Sequence, residues 1–234
     1  MKNIDVCLTP ELLHQYELVD KIVVVVDILR ATSCMVNGLA NGVKEIVPVA
    51  TLEECKVLQE AGYLAAAERN GSKADGFDMG NSPFEYMDEK VKGKNVAVTT
   101  TNGTLAIHKS RAAKEILVGA FLNLEAISAY LKNKEEDIII LCAGWKGKFN
   151  LEDTLFAGAL CHSLKKDFEF ACDAALASEA MYHIAKNDMI RYMKNSSHAK
   201  RLARLNVVKD IEFCMQESIY NVIPYLSGQS LLVK

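Results

Sequence analysis

Residues 22–26 read Ile-Val-Val-Val-Val, an unbroken β-branched run with no polar position inside it. A strand with one face in water would alternate, because successive side chains point to opposite faces. A continuous apolar run therefore predicts a strand buried on both sides, as in a parallel sheet covered by helices. Similar segments stand around Ala97–Val98, Ile116–Val118 and Ile138–Leu141, and helical patterns follow over 33–40, 104–113, 123–131 and 152–165. This alternation predicts an α/β fold, layered α/β/α, on a mixed or mostly parallel sheet.

The order strand, polar turn, helix, strand, helix over 22–58 recurs over 96–131. One unit spanning 1–234 is expected, with two similar βαβ-containing halves as candidate subdomains over about 1–92 and 93–234. Thr51 and Asn123 are suited to cap the second helix of each repeat, Thr51 with Glu54 in capping-box spacing. Residues 68–83 carry Gly, Asn and Asp without periodicity and are expected as a long ordered loop. From Ala171 the pattern is largely helical, with Ser196-Ser197 as a cap before 198–205. The stretch from Ile223-Pro224 onward reads as an irregular tail.

A formal charge of −3 leaves no excess of Lys and Arg for a phosphate backbone, so no nucleic-acid partner is expected. The seven cysteines stand singly, without a C-x-x-C pair, which signals neither a zinc knuckle nor a disulfide framework. No apolar run approaches the length of a bilayer span, and Met-Lys-Asn-Ile-Asp lacks a signal peptide's apolar run. The expectation is a reduced cytoplasmic protein with no membrane partner. Apolar helices in 171–216 are compatible with a homodimer.

Three polar turns sit at strand ends: 27–33, 98–103 and 142–148. Helix starts bind anions through free N–H groups and the helix dipole, and open α/β sheets bind ligands at the carboxyl ends of their strands. Asp27 closes the most buried strand and is the candidate Mg²⁺ ligand, since magnesium takes hard oxygens, usually one or two carboxylates plus waters. The alternative is a turn cap. Glu68 and Arg69 follow another apolar run, suited to metal and phosphate respectively, or to each other. Arg30, Arg69, Lys146 and Lys148 are the cations nearest the turns, and the two arginines rank first for their bidentate fork. Glu152 and Asp153 either stabilise a helix dipole or join the metal. Lys148 stands where a cysteine phosphatase needs Arg, so Cys142 reads as a small buried residue; Leu29 occupies the second Asp position of a haloacid dehalogenase. Neither the P-loop nor the Gly-x-Gly-x-x-Gly fingerprint is present. The five histidines are isolated and read as surface or helix-packing residues.

The runs Val26–Ser33, Ala67-Glu68-Arg69-Asn70-Gly71, Gly80-Asn81-Ser82-Pro83, Thr100–Thr104 and Cys142-Ala143-Gly144 together resemble the 2-phosphosulfolactate phosphatase family. Leu151-Glu152-Asp153, Ala157-Gly158, Ser197–Leu202 and Asp210–Cys214 fit as well, in the same order. Lys146-Gly147-Lys148 departs from the pattern as an insert-like loop. The resemblance implies a family-specific α/β fold and a magnesium-dependent hydrolysis of 2-phospho-3-sulfolactate to sulfolactate and phosphate, a step of coenzyme M biosynthesis. Together with the turns, it makes Asp27, Arg30, Arg69 and Thr101 the catalytic candidates. Thr32, Ser33, Asn81, Ser82, Thr100, Asn102, Gly103 and Gly144 are the substrate-binding candidates, and Asp27, Glu68, Glu152 and Asp153 the metal candidates. Direct attack by water and a phosphoenzyme on Ser33, Thr101 or Cys142 both stay open. The rival readings are a phosphatase for another phosphorylated 2-hydroxy acid and a non-catalytic anion-binding α/β protein.

Overall fold

The computed structural model describes every residue except Met1, Asn70, Arg204 and Asn206. In chain order the first elements are β1 (Asn3–Cys7), β2 (Ile22–Val26), α1 (Ala31–Ala40), β3 (Glu45–Pro48), α2 (Leu52–Glu60), β4 (Leu64–Arg69) and β5 (Ser72–Lys73). Next come β6 (Asn95–Thr99), α3 (Gly103–Lys109), β7 (Glu115–Gly119), α4 (Leu124–Lys132), β8 (Ile138–Cys142) and α5 (Leu151–Leu164). The remainder is β9 (Glu169–Phe170), α6 (Asp173–Ala185), α7 (Met189–Met193), α8 (Ser197–Ala203), α9 (Val208–Cys214), β10 (Pro224–Ser227) and β11 (Ser230–Val233). No helix among the described residues is long and apolar enough to cross a membrane.

Among the described residues the strands form one sheet in the order β5-β4-β6-β3-β11-β10-β7-β2-β8-β1-β9, mostly parallel and flanked by helices. As the unbroken apolar run requires, all of β2 is buried; Val24 lies in register with Leu117 of β7 on one side and Ile140 of β8 on the other. The strand order also carries the repeat. Exchanging β2 with β6, β3 with β7, β4 with β8 and β10 with β11 turns β4-β6-β3-β11-β10-β7-β2-β8 into the same order read from the opposite edge. The first strand of each repeat lies between the second and third strands of the other: β2 between β7 and β8, β6 between β3 and β4. Each half of the chain thus supplies strands to both halves of the sheet.

Local differences from the sequence expectations have physical causes. The segment after Pro224 is an antiparallel hairpin, β10–β11, wedged between β7 and β3 through the pairs Tyr225–Leu117 and Leu231–Ile46. The 68–83 stretch is not all loop: β4 runs on to Arg69 and pairs with β5. Thr51 and Glu54 do form the capping box. Asn123 does not cap α4 with its side chain; Oδ1 accepts the Ala120 N–H at 2.9 Å while Nδ2 donates to the carbonyls of Val118 and Val222. The α8 cap is Ser196, whose hydroxyl accepts the Ala199 N–H at 3.0 Å; the expected end at 205 falls short, with α8 closing at Ala203 and residue 204 outside the described residues. The long α5 is buried along nearly its whole length, consistent with its lack of a polar face.

Candidate active site

The two repeats build related turns in which the strand-end side chain accepts the N–H four residues on. After β2, the Asp27 N–H donates to Thr32 Oγ1 at 2.9 Å and Asp27 Oδ1 accepts the Ala31 N–H at 3.3 Å. After β6, the Thr100 N–H donates to Thr104 Oγ1 at 3.3 Å and Thr100 Oγ1 accepts the Thr104 N–H at 3.2 Å. One repeat carries a carboxylate at the strand end and the other a hydroxyl. Gly103 lets the turns touch: a Cβ there would stand 2.6 Å from the Ala31 Cβ and 2.9 Å from Asp27 Oδ2.

The other two strand ends close on the same spot. At the end of β4, Glu68 Oε1 accepts the Gly71 N–H in a short bond, and Oε2 lies 3.4 Å from both the N–H and the hydroxyl of Thr101. Beyond β8, Trp145 and Lys148 pair across a two-residue turn in which Lys146 and Gly147 have φ of 49° and 74°. That left-handed pair is the tight hairpin turn, so the insert-like loop is a compact one. The Lys146 N–H donates to Asn102 Oδ1 at 3.3 Å. At the start of α5, Asp153 Oδ1 accepts the Ile28 N–H at 2.8 Å, and Oδ2 accepts from the Gly144 N–H at 3.1 Å and Asn150 Nδ2 at 2.9 Å. Asp153 therefore clamps the β2 and β8 turns together.

The cleft so formed is lined by Asp27, Leu29, Arg30, Glu68, Gly71, Asn81, Asn102, Trp145, Arg201 and Leu202. Its roof comes from α8 and α9. Arg30 forms a buried ion pair with Asp210 of α9 and donates through Nη2 to the Gly71 carbonyl at 3.0 Å. Glu152 Oε1 meets His198 Nδ1, and His198 Nε2 meets Arg201 Nη2, both in short contacts. Because arginine stays protonated, Nε2 must accept, which leaves Nδ1–H to donate to Glu152. The Arg201 guanidinium stacks on Trp145 with its carbon 3.7 Å from the ring centre.

The electrostatics reflect crowded carboxylates. Burial, above all, pushes the Asp27 carboxyl up to about 6, and the charges of Glu68 and Glu152 add to it, against the hydrogen bond from the Ala31 N–H. Asp153 is held well above the usual carboxylate range by burial, then by Asp27 and Glu152, despite its hydrogen bonds from Ile28 and Asn150. Cys142 is fully buried and its thiol is pushed up by burial, as suits a packing residue.

Of the sequence candidates, Asp27, Arg30, Glu68, Asn81 and Asn102 line the cleft, and Thr101 touches Glu68. Glu152 stands one imidazole ring behind Arg201. The others are placed elsewhere. Arg69 directs its guanidinium at the Glu68 carbonyl and, at 3.2 Å, the Thr99 hydroxyl. Thr32 and Thr100 are engaged within their own turns, and Ser33 Oγ donates to the Ile28 carbonyl at 2.8 Å. Ser82 precedes a 3-10 turn at Pro83–Met87 without capping it, and Gly144 serves the β8 turn with φ of 60°. Sequence reasoning missed Trp145, His198, Arg201 and Asp210 as site residues. The expectation for histidines fails at His198, which is buried against Glu152. The available signal was the spacing His198-x-x-Arg201, one face of a helix.

The donor set suits a hard cation. Glu152 Oε2 is buried with no hydrogen-bond partner among the described residues, and Glu152 and Glu68 are the two carboxylates whose charge raises the Asp27 pKa. No ready cluster of three or more metal-ligating side chains exists among the described residues. Magnesium does not require one, because it keeps several waters and takes one or two carboxylates.

Buried carboxylates and guanidinium groups at convergent strand ends define an α/β protein with a polar small-molecule cleft. Comparison with known proteins narrows that class: the family described as 2-phosphosulpholactate phosphatase matches residues 7–229, and this chain belongs to it. A probable 2-phosphosulfolactate phosphatase of Thermotoga petrophila is 45% identical over 211 residues, covering 90% of this chain and 91% of its own. Counterparts described in the same words are 41% identical over 222 residues in Caldanaerobacter subterraneus (92% of each chain) and 37% over 230 residues in Clostridium tetani (97% of this chain, 98% of its own).

Proposed function

We propose that this protein is a magnesium-dependent phosphatase that hydrolyses 2-phospho-3-sulfolactate to 3-sulfolactate and phosphate, a reaction of coenzyme M biosynthesis. Family membership supports the reaction type. The observation that carries the reading for this chain is the convergence of Asp27, Glu68 and two guanidinium groups on one cleft, with the Glu152 carboxylate behind it on His198. Such a site has oxygens for a cation and N–H donors for an anion in the same small volume.

Asp27, with help from Glu68 or Glu152, would hold Mg²⁺, with Asp153 behind them keeping the β2 and β8 turns in place. When bound, the ion supplies charge neutralisation at the phosphoryl group and a more acidic water. The chain's own groups do the rest. Arg30 keeps N–H donors beyond its bonds to Asp210 and Gly71 and faces the cleft, where phosphoryl oxygens can accept from it. The Thr101 N–H and hydroxyl are held at the cleft edge by Glu68 and can shift to a substrate oxygen; Asn81 and Asn102 supply amides on the flanks. Leu29 and Leu202 exclude bulk water, which strengthens each of these bonds. In the net reaction the water oxygen bonds to phosphorus, the bond from phosphorus to the C2 oxygen breaks, and that oxygen leaves protonated.

The test is phosphate release across a panel of phosphorylated 2-hydroxy acids in the presence of Mg²⁺. 2-Phosphosulfolactate should give the highest kcat/KM. A higher value for a substrate lacking the sulfonate rejects the assignment, and no release from any member rejects catalysis.

A further inference from the structure

Asn81 Oδ1 and Arg201 Nη1, on residues that line the cleft, are buried with no hydrogen-bond partner among the described residues, as is Glu152 Oε2 behind His198. Leaving a buried donor or acceptor unpaired costs roughly 1–3 kcal/mol, more for a charged group. Folded proteins rarely tolerate such atoms without a use for them. The two carboxyl and amide oxygens are acceptors. Of these, Arg201 Nη1 is the charged donor, with nothing among the described residues to donate to.

The surroundings of Arg201 fix its guanidinium without occupying Nη1. One face lies on the Trp145 ring, and Nη2 donates to His198 Nε2, while His198 is itself anchored through Nδ1 to Glu152. Nη1 is left near Gly71, where even a Cβ would approach within 3.1 Å. A side chain at position 71 would crowd Nη1 and stand 2.7 Å from Leu205 Cδ1, so glycine there is what lets the guanidinium sit this close to the β4 turn. Arg30 reaches the same residue from the other side, through its Gly71 carbonyl. A planar fork held by stacking and one fixed acceptor loses little freedom on binding a further oxyanion, which a free lysine would not match.

We propose that Arg201, carried into the cleft by α8 and aimed by Trp145 and the Glu152–His198 pair, binds a tetrahedral oxyanion of the substrate, phosphoryl or sulfonate. This rests on the reaction assigned above only for the identity of the substrate. Trp145 and His198 act through Arg201 as positioning residues. Trp145 is also the single tryptophan of the chain, so its emission reports on the occupied guanidinium directly.

Calorimetric titration with inorganic phosphate and, separately, with methanesulfonate tests this, read alongside Trp145 emission. Wild-type protein should bind at least one of the two with a shift in emission. Arg201→Ala should weaken that binding at least tenfold, and Arg201→Lys, which keeps charge and stem but lacks the fork, should weaken it as well; thermal melts monitored by circular dichroism establish that both fold. The anion whose affinity falls identifies which group Arg201 holds. In turnover, Trp145→Ala and His198→Ala should raise KM more than they lower kcat, and Trp145→Phe should lose less than Trp145→Ala. Folded Arg201 variants that bind both anions within twofold of wild type overturn the proposal, as does wild-type protein that binds neither. Phosphate binding through Arg201 without hydrolysis of 2-phosphosulfolactate would remove the assigned reaction and leave Arg201 in place. Hydrolysis with an unchanged KM in the Arg201 variants would do the reverse.

Discussion

Two aspartates a few ångströms of backbone apart in space have opposite consequences when neutralised. Asp27 is buried among other acids and its carboxyl is raised from 3.8 to about 6. A raised pKa means the folded state holds the proton more tightly than the unfolded chain. Its stabilising contribution is complete below the unfolded value and is lost as pH rises through about 6. In metal-free protein, stability should therefore fall from about pH 4 to pH 6 through this group, and Asp27→Asn should flatten that slope. The same substitution should stabilise the metal-free protein at pH 7 by about 1–3 kcal/mol, read from urea denaturation, because asparagine keeps the oxygen that accepts the Ala31 N–H. Asp153→Ala should go the other way. It strips partners from the buried N–H groups of Ile28 and Gly144, and a loss of about 2–5 kcal/mol in the same measurement is expected. Effects of opposite sign separate an acid kept for a ligand from one that holds the scaffold.

At the scale of elements, α5 and the C-terminal hairpin carry the strongest constraints. Gly158 lies in the middle of α5, where alanine would gain about 1 kcal/mol of helix propensity. A Cβ at that position would fall 2.0 Å from the Ser178 carbonyl oxygen of α6, a backbone atom that cannot rotate away. The clash outweighs propensity, and Gly158→Ala should lower stability by about 1–3 kcal/mol or more in chemical denaturation. A stabilised variant would mean that α5 and α6 do not pack this closely. Leu231, wholly buried in β11, sits where the two halves of the sheet meet. Leu231→Ala should cost about 2–5 kcal/mol, as a buried leucine does in a core that cannot collapse around the gap. The hairpin was hard to read because its partners, Leu117 and Ile46, are more than a hundred residues away and Pro224 suggests a stop rather than a strand. The usable signal was Gly228-Gln229 between two apolar pairs, with Gly228 at φ of 60° making the two-residue turn.

For the molecule as a whole, the sheet and the cleft differ in how far they could be read from the chain. The Ile22–Val26 run points to a doubly buried strand because it is short, β-branched throughout and without a polar position, and the structure buries all five residues. The strand-end turns likewise placed Asp27, Glu68 and Asn102 at a common edge, and the structure brings them to one cleft. What the chain hides is the interlocking of the repeats, since each first strand inserts between strands of the other, and the roof over the site. Glu152 and His198 meet across 46 positions and Arg30 and Asp210 across 180, contacts that no local pattern encodes. The central claim, that buried carboxylates at these strand ends serve a metal that drives phosphate release, is tested most directly by one assay. Phosphate release from 2-phosphosulfolactate is followed with chelator-treated protein, with and without added Mg²⁺, for wild type and Asp27→Asn. Wild type should be active only when Mg²⁺ is restored, and Asp27→Asn should lose at least about a hundredfold, the size expected for a group acting on the reacting charge. Full activity without metal, or in Asp27→Asn, would contradict the central claim.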